Sequence, residues 1–404
     1  MATVTAMPVR WHERLQMNSG KPPRPYIHLA NCRVALKYAP EWKDVLIWNR
    51  FKQRIETASM TPWGKRAGWT WEDHDNRMTA EWLQNHDIHA NTFLAAEAVD
   101  TIAHDNDRDP LVDWLTSLQW DGIPRVDEWL PYYFGAIDNP YIRTVGRKWL
   151  ISACARAIEP GCKADHCLIL EGPQGVRKSS ALKVLAGGSD FFIDSLGKDL
   201  DSKESAILCS GAWIAEFAEL EALVSQTSRI EVVKAFLTRT EDRYRPPYGR
   251  QPVSFPRRCV FAATTNDDNY LRDVTGNRRF WPVKCGDFVR IKQLEKDREQ
   301  LWAEAYTAYD TGETWWLDSD DEQVAAEQQA DRLEVDTWHD VIGDWLQTRK
   351  EDTVSVSEVL DLCLRKDIGL RTKLDEMRVA RCLKMHGLHK FRVAGKGNCR
   401  WKGK

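Results

Sequence analysis

Residues 168–180, LILEGPQGVRKSS, form the densest group of side chains that could do chemistry. An apolar run leads into a loop with two glycines, and Lys178-Ser179 then begins a segment with helical character. Backbone N–H groups of such a loop and the positive end of a helix can surround phosphates. Lys178 would neutralise the β- and γ-phosphates of a nucleotide, and the Ser179 hydroxyl would hold Mg²⁺. The predicted phosphate-binding loop comprises Gly172, Pro173, Gln174, Gly175, Val176, Arg177, Lys178, Ser179 and Ser180.

Arg177 is one departure from the usual pattern, which places glycine immediately before the lysine. A side chain is tolerable there if the backbone stays helical and the side chain points outward. It could instead crowd the phosphates. A functional loop and a degenerate loop therefore both remain open at this point.

Carboxylates follow a second apolar run about forty residues further along. The segment 213–220, WIAEFAEL, predicts a strand with Glu216 at its end, and Glu219 lies one turn beyond if the chain becomes helical. A strand beside the phosphate loop is where nucleotide-hydrolysing enzymes place metal-associated and water-polarising acids. We predict Glu216 as a metal ligand together with Ser179. Either Glu216 or Glu219 could be the general base, and the sequence does not decide between them.

A third apolar run, residues 259–264, is followed by Asn266, which could orient an attacking water or contact the γ-phosphate. Further on, Arg278 and Arg279 form a pair of cations that suits an arginine finger, a side chain that reaches the γ-phosphate of a neighbouring subunit. A solvated arginine pair is the alternative. The predicted catalytic residues are Lys178, Glu216, Glu219, Asn266, Arg278 and Arg279.

Together these motifs resemble the virulence-associated E family, which carries a helicase-type ATPase related to superfamily 3 and the wider AAA+ class. The segments that carry the resemblance are LQWDG (118–122), EGPQG with KS (171–179), WIAE with EL (213–220), DRYRPPYGR (242–250), TTN (264–266), TGNRRF (275–280) and LWAEA (301–305). The resemblance covers residues 110 to 345. It implies a homo-oligomeric ring, usually hexameric, with ATP bound at subunit interfaces. It also implies a role in replicating phage or mobile-element DNA.

The elements that must position these residues follow from the hydrophobic pattern. Short apolar runs at 167–170, 212–215 and 259–264 alternate with helical segments, which predicts a parallel sheet. Upstream, helices are predicted at Val45–Glu56 and Thr92–Ala103. We therefore expect an α/β protein: a P-loop NTPase core of the AAA+/superfamily 3 type, an α-helical N-terminal domain and a small winged-helix-like C-terminal domain. The predicted units are a flexible arm (1–25), the N-terminal domain (26–160), the ATPase domain (161–345) and the C-terminal domain (346–404).

Arginines and aromatic residues are interleaved between positions 239 and 258, where prolines break any helix and predict a hairpin or an extended loop. Cations can follow a phosphate backbone while rings stack on bases, which suits single-stranded DNA. By analogy with superfamily 3 relatives, whose hairpin lines the pore, the candidates are Arg243, Tyr244, Arg245, Tyr248 and Arg250. An ordinary hairpin packed on the sheet, with its arginines facing acids, is the alternative.

The last fifty residues are basic. From Val354 onward the chain has thirteen Lys and Arg against five Asp and Glu, a net charge of +8, although the whole chain carries −3. Helices at Val356–Leu364 and Leu374–His386 and a hairpin at Phe391–Trp401 suggest a winged helix that contacts DNA. The candidate contacts are Arg378, Arg381, Lys384 and Lys396. The alternative is an oligomerisation or lid domain. The acidic stretch Asp318–Glu327 is interpreted as a solvated connector.

Composition narrows the class of protein. Hydrophobic residues make up 43% and charged residues 29%, as in globular proteins. No stretch approaches the ~18 apolar residues of a membrane span, so we expect a cytoplasmic protein without a membrane partner. The predicted function is an ATP-dependent DNA helicase or translocase. Its expected partners are single-stranded DNA in the pore, duplex DNA at the C-terminal domain and a separate primase. Two alternatives stay open: a DNA-binding regulatory protein with a degenerate loop, and a loader or packaging ATPase that does not unwind DNA.

Overall fold

The secondary structure is taken from a computed structural model, which describes residues 10–194, 196, 199–220, 223, 227–245, 251–271, 276–333, 336–349, 351–392 and 399–403. The helices are α1 (Leu29–Tyr38), α2 (Asp73–Gln84), α3 (Thr92–Asp105), α4 (Pro110–Ser117), α5 (Trp129–Phe134), α6 (Pro140–Ile158), α7 (Lys178–Ala186), α8 (Lys203–Cys209), α9 (Thr227–Leu237), α10 (Ile291–Asp310), α11 (Ser319–Ala330), α12 (His339–Gln347), α13 (Val356–Glu358) and α14 (Lys373–Met385). The strands are β1 (Leu46–Asn49), β2 (Arg54–Thr57), β3 (Asp107–Arg108), β4 (Cys167–Glu171), β5 (Phe192–Ile193), β6 (Ile214–Phe217), β7 (Glu241–Tyr244), β8 (Val253–Pro256), β9 (Val260–Thr265), β10 (Phe280–Lys284), β11 (Thr353–Val354), β12 (His389–Arg392) and β13 (Cys399–Lys402).

A five-stranded parallel sheet with the order β10-β4-β9-β6-β5 lies at the centre of the molecule. Every residue of β4, β6 and β9 is buried, which explains why these strands are nearly continuous apolar runs. Helices α4 to α7 and α10 cover one face of the sheet, and α9 covers the other. The predicted α/β class and parallel sheet are confirmed.

Tryptophans fill much of the core between the sheet and its helices. Trp149, Trp213 and Trp302 are fully buried, and each indole N–H donates to a backbone carbonyl at 2.8 to 2.9 Å. A buried indole needs such a partner, because an unpaired N–H is costly away from water. The contacts of Trp149 and Trp213 connect α6 to the sheet, and the contact of Trp302 connects α10 to α7. Helices α4 to α6 share this core and pack against the sheet. The sequence analysis instead places them in the N-terminal domain.

The N-terminal part has its own core and contains a small sheet as well as helices. The prediction of a helix at Thr92–Ala103 is confirmed by α3. The helix predicted at Val45–Glu56 is wrong, because β1 and β2 form an antiparallel hairpin there. The Asn49 side chain accepts N–H bonds from Phe51 and Lys52 at 3.0 Å, which stabilises a turn in place of a helix.

Part of the predicted flexible arm is packed. Residues Trp11–Arg14 form a short 3₁₀-helix, and the Trp11 ring lies 5.9 Å from that of Trp82. Leu15 is also buried in the N-terminal core. The Asn31 side chain adds hydrogen bonds to the backbone of Gln16, at 2.8 Å in both directions, so apolar burial and polar contacts together hold this segment against α1. The boundaries of the predicted domains stay a prediction.

The acidic stretch lies in helix α11, and most of its side chains are exposed to solvent, as interpreted from the sequence. Asp318 caps α11 by accepting the N–H groups of Asp320 and Asp321, which is typical of a helix start. Near its other end, the Gln329 side chain donates to the Phe280 carbonyl at 2.9 Å and is buried. The helix therefore packs along β10.

The C-terminal part combines α12, α13 and α14 with an antiparallel sheet of order β11-β13-β12 around a separate small core. Helix α14 and the strands β12 and β13 confirm the predicted helix and hairpin, whose residues 393–398 lie outside the described residues. After α13 the predicted helix continues as a π-helical segment, Val359–Cys363. The winged-helix-like assignment stays a prediction. Among the described residues, no helix combines the length and apolar character that a bilayer crossing requires.

Candidate phosphate-binding site

The predicted phosphate loop connects the carboxyl end of β4 to the first residue of α7, Lys178. Within it, Gly172 and Gly175 have φ values of +144° and +88°, which side-chain-bearing residues rarely adopt. The positive end of α7 therefore faces the concave side of a loop whose glycines allow the turn. This is the arrangement that binds phosphate at a helix N-terminus.

The Lys178 side chain is folded against this loop and is buried. Its Nζ donates to the carbonyl oxygens of Gly172 at 2.5 Å and of Pro173 at 3.1 Å. It also lies 3.5 Å from Oδ1 of Asn266, which follows β9 on the neighbouring strand. The structure thus brings together a cation and a polar amide that are 88 residues apart in the chain.

Glu216 lies at the centre of a second set of contacts, on β6. Its Oε1 accepts hydrogen bonds from Ser179 Oγ at 2.7 Å and from Thr264 Oγ1 at 2.6 Å. Its Oε2 is buried and has no hydrogen-bond partner among the described residues. Burial raises the pKa of Glu216, and the two hydroxyl donors partly oppose that rise. Thr264 was not among the predicted site residues. Its position at a strand end, two residues before Asn266, is the signal that could have found it.

These oxygens fit a hard divalent cation. Mg²⁺ prefers oxygen ligands and commonly takes only one or two from the protein, with water and substrate phosphates as the others. Ser179 Oγ and the unpartnered Oε2 of Glu216 provide such ligands next to the phosphate loop. Within the described part of the chain there is no group of three or more His, Cys, Asp or Glu side chains suited to a metal. Water and nucleotide phosphates would supply the other ligands of a Mg²⁺ ion bound by Ser179 and Glu216.

An open cavity of about 400 Å³ lies over the loop. Its lining comprises Gln174, Gly175, Arg177, Lys178, Ser179, Ser180, Ala218, Glu219, Thr264, Thr265 and Asn266. Glu219 is solvent-exposed and has a φ of +54°, a left-handed conformation that is unfavourable for a side-chain-bearing residue. The two acids therefore differ: Glu216 is buried beneath the cavity, whereas Glu219 faces it.

The Arg177 side chain is exposed and lines the cavity over the loop, so it borders the space predicted for the phosphates. Its backbone has φ +72° and ψ +33°, which is left-handed, so the predicted condition of a helical backbone is not met. This geometry explains why glycine is usual at the position, since glycine adopts a positive φ without steric cost.

Arg278 and Arg279 lie away from the phosphate loop of their own chain. They occupy a 3₁₀ turn before β10, whose first residue, Phe280, pairs with Cys167 at the beginning of β4. The loop leaves the other end of β4, and five residues of strand span roughly 16 Å. The two arginines instead line a separate cavity of about 360 Å³ together with Trp281, Trp315 and Trp316. Within one chain, the two arginines therefore lie at the amino end of the parallel strands, and the phosphate loop lies at their carboxyl end.

The predicted DNA hairpin is present as β7 and β8. Arg243 and Arg245 are exposed, whereas Tyr244 is half-buried and stacks on Phe255 with a ring-centroid distance of 4.4 Å. Tyr248 and Arg250 lie outside the described residues. The exposed cations of the described part of the hairpin are therefore Arg243 and Arg245.

Two other arginines near this hairpin have structural partners. Arg257 is buried and pairs with Asp242 through contacts of 2.6 and 2.9 Å. Arg258 pairs with Asp109 at 2.5 Å, which connects the start of β9 to α4. Buried cations with carboxylate partners hold elements together and are poorly placed to meet DNA phosphates.

The C-terminal candidates differ in their surroundings. Arg378 makes two 2.8 Å contacts with Asp336 and lies 3.8 Å from the centre of the Trp338 ring. Lys384 is exposed on the same helix, and Arg381 is half-buried. Lys396 lies outside the described residues. DNA contact by this surface stays a prediction.

Comparison with known proteins decides the family. The model of the virulence-associated protein E-like domain matches residues 115–334, which is more than half of the chain. The chain belongs to this family. The resemblance predicted from the motifs is therefore confirmed.

The solved structures to which the chain is similar are distant from it in sequence. The apo structure of the NrS-1 C-terminal region (305–718) aligns with a TM-score of 0.51 at 12% identity, covering 91% of this chain and 99% of that one. An A-form apo structure of the same NrS-1 region has a TM-score of 0.45 at 11% identity, covering 89% and 96%. A JCV helicase bound to a small acetamide compound has a TM-score of 0.26 at 12% identity, covering 65% and 80%. No curated protein matches the chain.

Proposed function

We propose that this virulence-associated protein E-like chain is an ATP-dependent DNA helicase or translocase. It would act as a cytoplasmic ring, a hexamer, in the replication of phage or mobile-element DNA. The observation that carries the proposal is the convergence of Lys178, Ser179, Glu216 and Asn266 at the carboxyl ends of three adjacent parallel strands. Ligands of open α/β sheets bind at this edge.

Binding of ATP would use the loop and its lysine. The backbone N–H groups of residues 174–179 and the positive end of α7 would surround the phosphates, and Lys178 would exchange its loop carbonyl partners for phosphate oxygens. Ser179 and Glu216 would hold Mg²⁺, which when bound neutralises phosphate charge. Removing that charge makes the terminal phosphate a better target for water.

Hydrolysis also needs a group that orients water and accepts its proton. Glu219 suits this role, because it is exposed and lines the cavity, whereas Glu216 Oε1 already accepts two hydroxyl hydrogen bonds. Asn266, also on the cavity wall, could fix the water or the γ-phosphate. We therefore assign Glu216 to the metal and Glu219 to the general base.

The position of Arg278 and Arg279 supports a ring. Because they lie at the amino end of the strands, they cannot reach a nucleotide bound to the phosphate loop of their own chain. They could meet a nucleotide bound to a neighbouring subunit. An arginine finger supplied in trans makes hydrolysis depend on assembly. Single-stranded DNA would pass through the pore against Arg243 and Arg245, and duplex DNA and a separate primase would be further partners.

One observation favours a second candidate. The left-handed backbone of Arg177 carries a conformational cost within the phosphate loop, which suits a DNA-binding regulatory protein whose loop has degenerated. The same strain is also compatible with an active loop, since strained residues often occur at functional sites.

The test uses the full chain with Mg²⁺ and ATP, and measures phosphate release with and without single-stranded DNA, followed by unwinding of a fluorescent forked duplex. The proposal predicts DNA-stimulated hydrolysis and ATP-dependent strand separation. An absence of hydrolysis would favour the regulatory protein. Hydrolysis without unwinding would favour a loader or packaging ATPase.

A further inference from the structure

A buried ion pair lies directly behind the phosphate loop. Glu171, the last residue of β4 and the neighbour of Gly172, is only 2% exposed. Arg332 donates to both of its carboxylate oxygens, from Nε to Oε1 at 2.8 Å and from Nη2 to Oε2 at 3.0 Å. The Tyr270 hydroxyl donates to Oε1 at 2.8 Å. None of these three side chains lines the phosphate cavity, so the proposed chemistry does not use them directly.

The partners of Glu171 come from the segments that position the other half of the site. Tyr270 follows Asn266 by four residues, and the backbone N–H of Leu271 donates to the Arg332 carbonyl at 3.0 Å. Leu271 also forms a parallel bridge with Leu333. The backbone N–H of Gly172 donates to the Thr265 carbonyl at 3.2 Å, which joins the start of the phosphate loop to the last residue of β9, just before Asn266. The start of the loop is thus connected to the chain on both sides of Asn266, through Thr265 and through the contact between Glu171 and Tyr270.

We propose that Arg332 is a positioning residue that fixes the phosphate loop relative to Asn266 and so sets the rate of hydrolysis more than the affinity for nucleotide. The inference rests on the proposed ATPase function. Phosphate affinity arises from the loop amides and Lys178, which belong to one continuous segment. Hydrolysis requires that segment and Asn266 to hold a fixed separation, and these lie on different strands. A misplacement of about 1 Å can cost ~100-fold in rate.

Lysine is the substitution that isolates this role. It keeps the positive charge that Glu171 needs, because an uncompensated buried carboxylate would destabilise the fold. It cannot reproduce the two parallel N–H bonds of the guanidinium. Arg147 offers a matched control, since it also donates through Nε and Nη2 to one carboxylate, Glu313, at 2.8 to 3.0 Å, but lies on α6 outside the phosphate cavity.

The experiment compares wild type, Arg332→Lys and Arg147→Lys. It measures kcat for ATP with single-stranded DNA, and Kd for a fluorescent non-hydrolysable ATP analogue. We expect Arg332→Lys to lower kcat about tenfold and to leave Kd within about twofold of wild type. Arg147→Lys should leave both within about twofold. Tyr270→Phe, which removes one hydrogen bond and no charge, provides a milder variant if Arg332→Lys does not fold, and it should lower kcat alone.

Three outcomes would overturn the inference. They are an unchanged kcat in both Arg332→Lys and Tyr270→Phe, a loss of affinity equal to the loss of kcat, and an equal fall in kcat for Arg147→Lys. If wild type itself releases no phosphate, the proposed ATPase function fails first. If wild type hydrolyses ATP and the variants show one of the three outcomes, only the positioning role fails.

Discussion

Ser179 Oγ donates a 2.7 Å hydrogen bond to Oε1 of Glu216, although the two residues are 37 positions apart. Ser179 is on the first turn of α7 and Glu216 is on β6, so this contact joins the phosphate loop to an adjacent strand. It leaves Oε2 of Glu216 buried without a partner among the described residues. A carboxylate held in this way is disposed to bind a cation beside the phosphates.

Glu216→Gln should lower the rate of hydrolysis about 100-fold or more. It should also stabilise the fold at neutral and alkaline pH. The raised pKa means that the folded state holds the Glu216 proton more tightly than the unfolded chain does. Ionised Glu216 therefore destabilises the fold above that raised pKa, and the effect vanishes below its ordinary value of 4.5. Melting temperatures should show a gain of roughly 2–4 °C at pH 8, shrinking as the pH approaches 4.5.

Glu219→Gln is the control for that measurement. Glu219 is exposed, so the loss of its charge should leave the melting temperature unchanged at every pH. Hydrolysis should still fall if Glu219 is the general base. A lower melting temperature for Glu216→Gln at pH 8 would contradict the account of its burial.

Arg177→Gly should stabilise the protein, because Arg177 has a left-handed backbone that glycine adopts without strain. Glycine also raises the entropy of the unfolded chain, which opposes part of this stabilisation. We therefore expect the free energy of unfolding, measured in urea, to rise by only about 0.5–1 kcal/mol. Gly175→Ala in the same loop, where φ is +88° and no atom would meet the added Cβ within 4 Å, should lose about 1 kcal/mol. If both variants changed the free energy of unfolding in the same direction, the backbone φ angle would not explain their effects.

The sequence was sufficient for the phosphate loop because its side chains lie within a few residues of one another. Glu216 and Asn266 could also be predicted, since each ends a nearly continuous apolar run and parallel strands end at one edge of a sheet. The hairpin at 46–57 could not be predicted, because four consecutive apolar residues suit a strand or a buried helix equally well. The contacts of Thr264 and Arg332 could not be predicted either, because they depend on how distant segments pack.

Mixing two inactive variants should restore hydrolysis if the arginine finger acts between subunits. Arg278→Ala with Arg279→Ala keeps the phosphate loop, and Lys178→Ala keeps the arginines. In a mixed ring, an intact loop can meet an intact finger, so phosphate release should recover to about a quarter of the wild-type rate. Recovery should be absent when either variant is assayed alone. No recovery in mixtures shown to co-assemble would contradict the intersubunit role.

Arg243→Ala and Arg245→Ala should weaken binding of single-stranded DNA, because both side chains are exposed on the β7–β8 hairpin. Each lost phosphate contact should reduce the slope of log affinity against log salt by about 0.7. Lys292→Ala, which removes an exposed cation from α10, is the matched control and should leave the slope unchanged. Equal slopes for all three variants would place the DNA elsewhere.

The most direct test of the central claim is nucleotide binding by Lys178→Ala and Lys183→Ala, two variants of the same helix. Lys178 is buried against the phosphate loop, whereas Lys183 is exposed in the last turn of α7. Titration with a fluorescent ATP analogue and Mg²⁺ should show binding weakened about 100-fold or more by Lys178→Ala and unchanged by Lys183→Ala. Equal affinity for wild type and both variants would mean that the loop does not hold the triphosphate, and the proposed function would fail.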